Sequence, residues 1–521
     1  MNNHTRYTLS IALIVALGGF LMGFDASVIS GVVGFIEPEF DLSKIELGWA
    51  VASLTLTATL AMMLSGPASD RFGRRPVLKV AAVLFAVSAI ASAAAPDFAT
   101  LVAARMLGGL GVGAALIVAP MYIAEIAPAD IRGRLVSFNQ LNIVIGISAA
   151  FFSNYLVLGL ADSGLAWVGL LGLDEHAWRW MLGVETIPAL FYLAALYAVP
   201  ESPRWLLMQD RDEQAMEVLR RAAGAAAAEA GIRDIRDSLA ASSAASHASL
   251  RELLAPRLRL VLTIGIVIAV LQQATGINSV FFYAPMIFEQ SGVGTDASFM
   301  QAVLVGLVNL VFTVLAILTI DRFGRRPLLA IGVSGIAACM LLLAWGFGTA
   351  TYTLTADALA RLAPAIQGQE LEPLLGQVFT SDVDFKRAIS EALGADALQR
   401  HEGALIAAAI TMNPTLVLVG ILGFVASFAM SLGPVMWVLF SELFPNRVRG
   451  LAISFVGLIN SGVSFLVQLL FPWELARIGT ATTFFIYGLC ALLGLLLIMR
   501  LLPETRGKSL EQLERELVVD R

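Results

Sequence analysis

Three ionisable residues interrupt otherwise apolar stretches: Asp25 in Gly23-Phe24-Asp25-Ala26, Arg105 near the start of a fourth stretch, and Glu185 in the first third of a sixth. A charged side chain at the centre of a bilayer costs roughly 2.5–3.5 kcal/mol on insertion scales, so each such residue marks an ion or proton path until shown otherwise. The first stretch reaches Asp25 late, whereas the fourth and sixth reach Arg105 and Glu185 early. If successive stretches cross in alternate directions, all three are expected at one depth, in the extracytoplasmic half of the membrane. The proton affinity of a carboxylate depends on its burial and on nearby cations, so a swing of Arg105 toward or away from Asp25 would load or release a proton. The structural alternative is a static ion pair locking the first and fourth helices.

A second set is polar and uncharged. The seventh stretch carries Gln272-Gln273-Ala274-Thr275-Gly276-Ile277-Asn278-Ser279-Val280-Phe281-Phe282-Tyr283; Gln140, Asn309 and Asn460 lie in the fifth, eighth and eleventh, and Trp437 in the tenth. Amides both donate and accept hydrogen bonds, and an indole offers a face for C–H groups; together these suit a neutral polyhydroxylated ligand such as a sugar better than an ion. The alternative is interhelical hydrogen bonding alone.

The elements that must position these groups are membrane helices. With 58% hydrophobic and 14% charged residues and a mean hydropathy of +0.80, the chain is too apolar for a soluble protein of this length. About 20 apolar residues span the hydrocarbon core. Twelve spans are expected, centred near positions 20, 58, 86, 111, 147, 189, 272, 309, 338, 427, 461 and 491. Basic residues crowd alternate loops, including Arg71, Arg74, Arg75 and Lys79, then Arg132 and Arg134, Arg322, Arg325 and Arg326, and Arg447 and Arg449. The intervening loops lean acidic or neutral. The positive-inside rule then puts both termini in the cytoplasm. The first apolar run lacks a convincing cleavage site and is expected to be a retained span. Gly108-Gly109-Leu110-Gly111-Val112-Gly113 predicts close helix packing. Cys339 and Cys490 both fall within spans, which leaves no disulfide framework or metal cluster; no cofactor, metal or nucleic-acid partner is expected.

Asp70-Arg71-Phe72-Gly73-Arg74-Arg75-Pro76 recurs unchanged at Asp321-Arg322-Phe323-Gly324-Arg325-Arg326-Pro327, so the chain holds two copies of one unit. That pair is 251 residues apart (70 to 321), whereas Glu125-x-x-Pro128-x-x-x-Arg132-Gly133 and Glu442-x-x-Pro445-x-x-x-Arg449-Gly450 are 317 apart (125 to 442), so the second copy has gained 66 residues. The gain is the polar stretch 349–413, expected to fold as a small helical cap on the extracytoplasmic side. A third pair, Pro200-Glu201-Ser202 and Pro503-Glu504-Thr505, is 303 apart and assigns 14 extra residues to the first copy, around Gly164 to Arg179. The expected organisation is a six-helix bundle over 1–199, a cytoplasmic linker with helices over 200–256, a second six-helix bundle over 257–502 and a cytoplasmic tail over 503–521. The linker either tethers the bundles or latches on the basic loops.

These motifs, with Pro200-Glu201-Ser202-Pro203-Arg204, Gln272-Gln273-x-x-Gly276-Ile277-Asn278, Gly433-Pro434-x-x-Trp437 and Pro503-Glu504-Thr505-x-Gly507, resemble the sugar porter family of the major facilitator superfamily, nearest its bacterial xylose/proton symporters. The resemblance covers nearly the whole chain apart from the cap. It implies an all-α membrane protein of twelve transmembrane helices in two six-helix bundles, the major facilitator fold. It implies that Gln140, Gln272, Gln273, Asn278, Asn309 and Trp437 bind sugar and that Asp25, Arg105 and Glu185 couple protons. Asp70, Arg74, Glu125, Arg132, Arg134, Asp321, Arg325, Glu442 and Arg449 would form a cytoplasmic charge network that closes the inner side in the outward-open state. The pocket departs from the xylose pattern at Met22 for an aromatic residue, Phe282 for a tyrosine, Ile147 for a glutamine, and Asn460-Ser461 for a Gln-Trp pair; such changes redirect specificity.

The expected activity is proton-coupled uptake of a monosaccharide, pentose or hexose, by a monomer alternating its access across the inner membrane of a bacterium. The rival readings are a passive sugar facilitator and a non-transporting sugar receptor. A drug/proton antiporter fits an amide-rich cavity poorly, and an enzyme lacks any nucleophile-base pair or metal-ligand cluster.

Overall fold

A computed structural model of the chain describes residues 3–128, 131–244, 249–362, 368–445, 447–505 and 512. Among these, eleven helices are long and apolar enough to cross a membrane: Asn3–Gly31, Lys44–Phe72, Arg74–Ala93, Phe98–Ile126, Arg132–Ala161, Pro256–Phe282, Thr295–Ile320, Arg325–Gly348, Pro414–Leu443, Arg449–Arg477 and Thr480–Leu501. The remaining expected span, sixth in order, is interrupted. It comprises Ala177–Gly183 and Thr186–Ala195. Pro188 has no N–H to give the Val184 carbonyl four residues back, and the Ile187 N–H donates to that carbonyl at 3.1 Å instead. Glu185 sits at the break. The seventh span is likewise interrupted at Gly276, whose φ of 84° and closeness to the Tyr487 ring, 2.5 Å from where a Cβ would stand, leave room for glycine alone.

The chain divides into two compact units, one of residues 1–28, 53–150 and 179–247, the other of 29–52, 151–178 and 248–521. In the first, apolar side chains such as Val15, Phe85, Val118, Tyr122 and Tyr192 form a core that runs on into Leu206, Val218 and Ile232 of the linker. Linker helices Pro203–Met208, Asp212–Ala223 and Ala225–Ala244 thus belong to this unit rather than hanging between bundles. Polar bonds fix them there: Thr8 Oγ1 donates to the Ala222 carbonyl at 3.0 Å, and Trp205 Nε1 to the Asp70 carbonyl at 2.9 Å. The end of the linker goes with the second unit, where Glu252 pairs with Arg447 at 2.9 Å.

The glycine-rich run of the fourth helix packs as its composition predicts. A Cβ on Gly109 would stand 2.4 Å from the Leu54 carbonyl oxygen, and one on Gly113 2.2 Å from that of Ala58. Gly23 and Gly146 make a reciprocal crossing of the first and fifth helices, with would-be Cβ atoms 2.0 Å from the Ile143 oxygen and 2.1 Å from the Phe20 oxygen. Between lipid-embedded helices this close approach replaces the hydrophobic drive that lipid does not supply.

Within the second unit the 349–413 insertion folds as helices Ala356–Leu362, Asp382–Leu393 and Ala395–Ala409, a 3-10 turn at Gly368–Leu374 and, beyond the helical expectation, a three-stranded antiparallel sheet. Tyr352 in the central strand Thr351–Thr353 lies opposite Phe379 on one side and Ile410 on the other. Its ring stacks on Phe385 at 5.6 Å, in a core that includes Leu371, Ile389 and Leu405. Strands of two or three residues are too short to show a period-2 pattern, which is why the sheet was not legible. The smaller insertion around 164–179 holds one short helix, Ala166–Leu170, and is anchored by Trp178, whose Nε1 donates to Glu39 at 2.5 Å.

Gly113→Val should lower stability by about 1–3 kcal/mol through overpacking against a backbone that cannot move aside. Thermal unfolding of the detergent-purified protein checks this, and an unchanged midpoint would contradict the packing account.

Candidate functional site

In the first unit the late position of Asp25 on the first helix and the early position of Arg105 on the fourth bring the two together. Arg105 Nη1 lies 3.1 Å from Asp25 Oδ1 and donates to the Asp25 backbone carbonyl at 3.3 Å. Both side chains are buried, at 3% and 2% exposure. The other carboxylate oxygen lies over the fourth helix, 2.5 Å from where a Cβ on Gly108 would be, so glycine there makes room for the acid. Glu185, buried at the break in the sixth span, interacts electrostatically with both Asp25 and Arg105. Among the described residues, Asp25 Oδ2, Arg105 Nε and Glu185 Oε1 have no hydrogen-bond partner. The three predicted residues therefore form one buried cluster, with two carboxyl groups competing for one guanidinium. Such a set can hold an additional proton.

The amides of the second unit form a continuous network. Asn460 Nδ2 donates to Gln272 Oε1 at 2.7 Å and to the Ala269 carbonyl at 2.9 Å. Gln273 Nε2 donates to Gln272 Oε1 at 3.1 Å and to Asn460 Oδ1 at 3.3 Å; Asn278 Nδ2 donates to Gln273 Oε1 at 2.8 Å and to Ser464 Oγ at 2.7 Å. Gln468 Nε2 extends the row to Ser464 Oγ at 2.8 Å. Sequence reasoning singled out Asn460 but missed Ser464 and Gln468. Their spacing of four residues along one helix, which puts all three on one face, was the available signal. The helix break at Gly276 turns Asn278 back toward Gln273.

The remaining predicted ligand-binding residues lie apart from these bonds. Asn309 is buried on the eighth helix and Phe282 is buried at the end of Ile277–Phe282. Trp437 is half exposed, with an edge-on contact to Phe440 at 5.9 Å between ring centres. Gln140 is exposed on the fifth helix within the first unit.

Each unit carries its own copy of the basic-loop cluster. In the first, Arg74 grips Glu125 with two bonds, Nε to Oε2 at 3.0 Å and Nη2 to Oε1 at 2.9 Å, and meets Asp70 at 2.8 Å. Ser202 Oγ donates to the same Glu125 carboxylate. In the second, Arg325 pairs with Glu442 at 2.9 Å and Thr505 Oγ1 donates to Glu442 at 2.7 Å. The side chain of Asp321, and Arg506 with most of the tail beyond it, lie outside the described residues. Arg132 and Arg449 cap carbonyls of Ala127 and Phe444, Arg134 is exposed, and none of the three forms an ion pair within its unit among the described residues.

The structure adds Glu201 and Glu504, which the repeated Pro-Glu-Ser/Thr motif had marked only as a repeat. Glu201 Oε1 accepts from the N–H of Arg74 at 3.0 Å and of Arg75 at 3.2 Å; Glu504 accepts from the N–H of Arg325 and of Arg326, each at 3.2 Å. Burial pushes the Glu201 carboxyl up, against the pull of those N–H donors. The invariant glycine of the heptapeptide explains itself here: Gly73 has φ 103° and Gly324 φ 87°. A Cβ at either would meet the Glu201 or Glu504 carboxylate, at 2.5 and 2.9 Å.

Comparison with known proteins places this geometry. The family model "Sugar (and other) transporter" matches residues 11–363 and 400–517. The D-xylose-proton symporter of Escherichia coli is 36% identical over 547 aligned positions, which cover 98% of this chain and 96% of that protein. The arabinose-proton symporter of Bacillus subtilis is 34% identical, over 98% of this chain and 95% of that one. The solved inward open conformation of the xylose transporter XylE from E. coli superposes with a TM-score of 0.74 at 35% identity, covering 98% of this chain and 100% of that chain.

The buried Glu125 and the exposed Asp70 should differ as partners of Arg74. Glu125→Ala strips a buried guanidinium of its two-bond partner and leaves it only the exposed Asp70, so it should cost about 1.5–3 kcal/mol, whereas Asp70→Ala should cost about 0–1 kcal/mol. Thermal unfolding of the two variants decides, and equal losses would contradict the assignment.

Proposed function

Because the chain belongs to the sugar transporter family, a family of membrane transporters rather than enzymes, and shares the major facilitator fold, we propose that it couples the uptake of a monosaccharide to the entry of a proton. The observation that carries this is the buried Asp25–Arg105 pair, with Glu185 beside it and a carboxylate oxygen of each acid without a hydrogen-bond partner among the described residues. A passive carrier of neutral sugar has no need for that charge in its membrane interior. The relatives named for xylose and arabinose symport support a pentose as first choice of substrate, with hexoses next. The membrane is the inner membrane of a bacterium, and the basic loops put both termini in the cytoplasm. The working unit is a monomer of two six-helix repeats that alternates its access.

In this mechanism Asp25 takes the proton. The neutral acid releases its hold on Arg105, and ionised Glu185 takes up the freed guanidinium, so the cluster passes from one net negative charge to none. The amide row of Gln272, Gln273, Asn278, Asn460, Ser464 and Gln468 receives the sugar. Its members satisfy one another, and sugar hydroxyls, which both donate and accept, exchange with those bonds one for one. Phe282 supplies an apolar wall, Asn309 and Trp437 further contacts, and Gln140 keeps the role its place in the family pattern implies. A proton carried with each sugar gains about 2.3 kcal/mol per 100 mV of membrane potential. The basic-loop clusters centred on Glu125 and Glu442 act as the inner gate.

Asp25→Asn should abolish uphill accumulation in vesicles while sparing sugar exchange; undiminished accumulation would sink the coupling. Gln273→Ala should weaken sugar binding about tenfold, the loss of one to two buried hydrogen bonds, measured by calorimetry across xylose, arabinose and glucose. Unchanged affinity for all three would remove the amide row from the binding site.

A further inference from the structure

The cap is where this chain departs from its family: the family model passes over residues 364–399, most of it. Yet the cap is not an ornament on a loop. Within the second unit it is bonded to residues 29–52, the stretch that joins the first span to the second. Lys44 Nζ, at the start of the second span, lies 2.5 Å from Glu37 Oε1 and 2.8 Å from Glu402 Oε2 of cap helix Ala395–Ala409. Glu402 Oε1 continues to Lys386 Nζ at 2.9 Å, and Lys386 to Asp382 at 3.9 Å. Asp382 ends the row by accepting from the N–H and Oγ1 of Thr480, at 3.0 and 2.9 Å. A separate bond, Gln399 Nε2 to the Leu42 carbonyl at 2.6 Å, fastens the same two segments.

The row alternates in sign along its length, acid, base, acid, base, acid, and most of it is out of water: Glu37 is 6% exposed and Lys386 and Asp382 each 7%. Burial pushes the Glu37 carboxyl up, with Lys44 opposing; at Glu402 the Lys386 and Lys44 ammoniums overcome burial and hold the carboxyl well below its ordinary range. Directly beneath, the backbones are in tight register. A Cβ on Gly48 would stand 1.9 Å from the Leu469 carbonyl oxygen, and Trp49 packs edge-on to Phe465 at 5.6 Å.

We propose that the cap is an outer latch of the transport cycle, in which Lys44, held between Glu37 and Glu402, ties the first two spans to the second half of the chain and keeps the extracytoplasmic side shut. The inference rests on the alternating-access reading. Residues 29–52 are continuous with 1–28 and 53–72, which belong to the first unit, so an opening of the outer side must draw this stretch away from the cap. Charged pairs suit a contact made and broken every cycle. Desolvation nearly offsets their attraction when closed, and water takes both charges back when open. An apolar seal of the same size would cling. A cavity of about 220 Å³, lined by Glu37, Lys44, Glu289, Gln399, His401 and Glu402, lies alongside and gives water its way in.

The test uses the full chain with Cys339 and Cys490 replaced by serine and one new thiol, Ser30→Cys, at a site 1% exposed. In proteoliposomes a membrane-impermeant maleimide is applied from the cap side. Glu402→Gln and Lys44→Met should each raise the labelling rate about tenfold by shifting the population toward the open side. Lys44→Arg, which keeps the charge and the fold, should label nearly as slowly as the parent, as should Arg387→Met in an exposed cap pair. Equal rates in Glu402→Gln, Lys44→Met and the parent overturn the latch. So does faster labelling that Lys44→Arg and Arg387→Met share, because it reports a loosened fold. Failure of the parent to move sugar would end the transport reading and leave these rates as they are; equal rates in a parent that moves sugar end the latch alone.

Discussion

A carboxylate and a guanidinium held where lipid excludes water are tolerable only together, and the arrangement of the first unit follows from keeping Asp25 and Arg105 within reach of each other. The glycine at 108 lets the acid lie on the fourth helix. The broken sixth span delivers a second acid, Glu185, to the same place. Two acids and one base cannot all be paired, and the proposed proton coupling rests on that imbalance. Around it, the glycines at 23 and 146 bring the first and fifth helices, and those at 109 and 113 the second and fourth, into backbone contact.

The second unit solves a different problem with the same economy. Its amides are uncharged, so their burial costs less, and they are bonded to one another, so none is stranded. A row of this kind is ready to trade partners with a polyhydroxylated ligand and indifferent to ions. At the ends of the basic loops each repeat builds the same charged cluster from the same motif positions: Arg74, Glu125, Glu201 and Ser202 in one, Arg325, Glu442, Glu504 and Thr505 in the other. Duplication preserved a geometry as well as a sequence.

Much of this was legible in the residues. Hydropathy gave the twelve spans, though not the interruptions at Glu185 and Gly276, and their alternating directions put Asp25, Arg105 and Glu185 at one depth. The break in the sixth span was written in Pro188, but a proline near the middle of an apolar run reads equally as a kink. Glu201 and Glu504 were seen as repeats and not as acceptors, because their partners are backbone N–H groups exposed by a glycine turn, which composition does not encode. Ser464 and Gln468 hid behind ordinary helix periodicity. The Lys44 network was beyond reach: its key link, Lys44 to Glu402, spans 358 residues of chain, and only the folded cap makes them neighbours.

The central claim is that sugar and charge cross the membrane together. Current across proteoliposomes of the purified protein, recorded during rapid jumps of a panel of pentoses and hexoses, tests it most directly. The account predicts a sustained inward current for the transported sugar that grows with external acidity. Sugar uptake with no accompanying current would contradict it and make the chain a passive carrier.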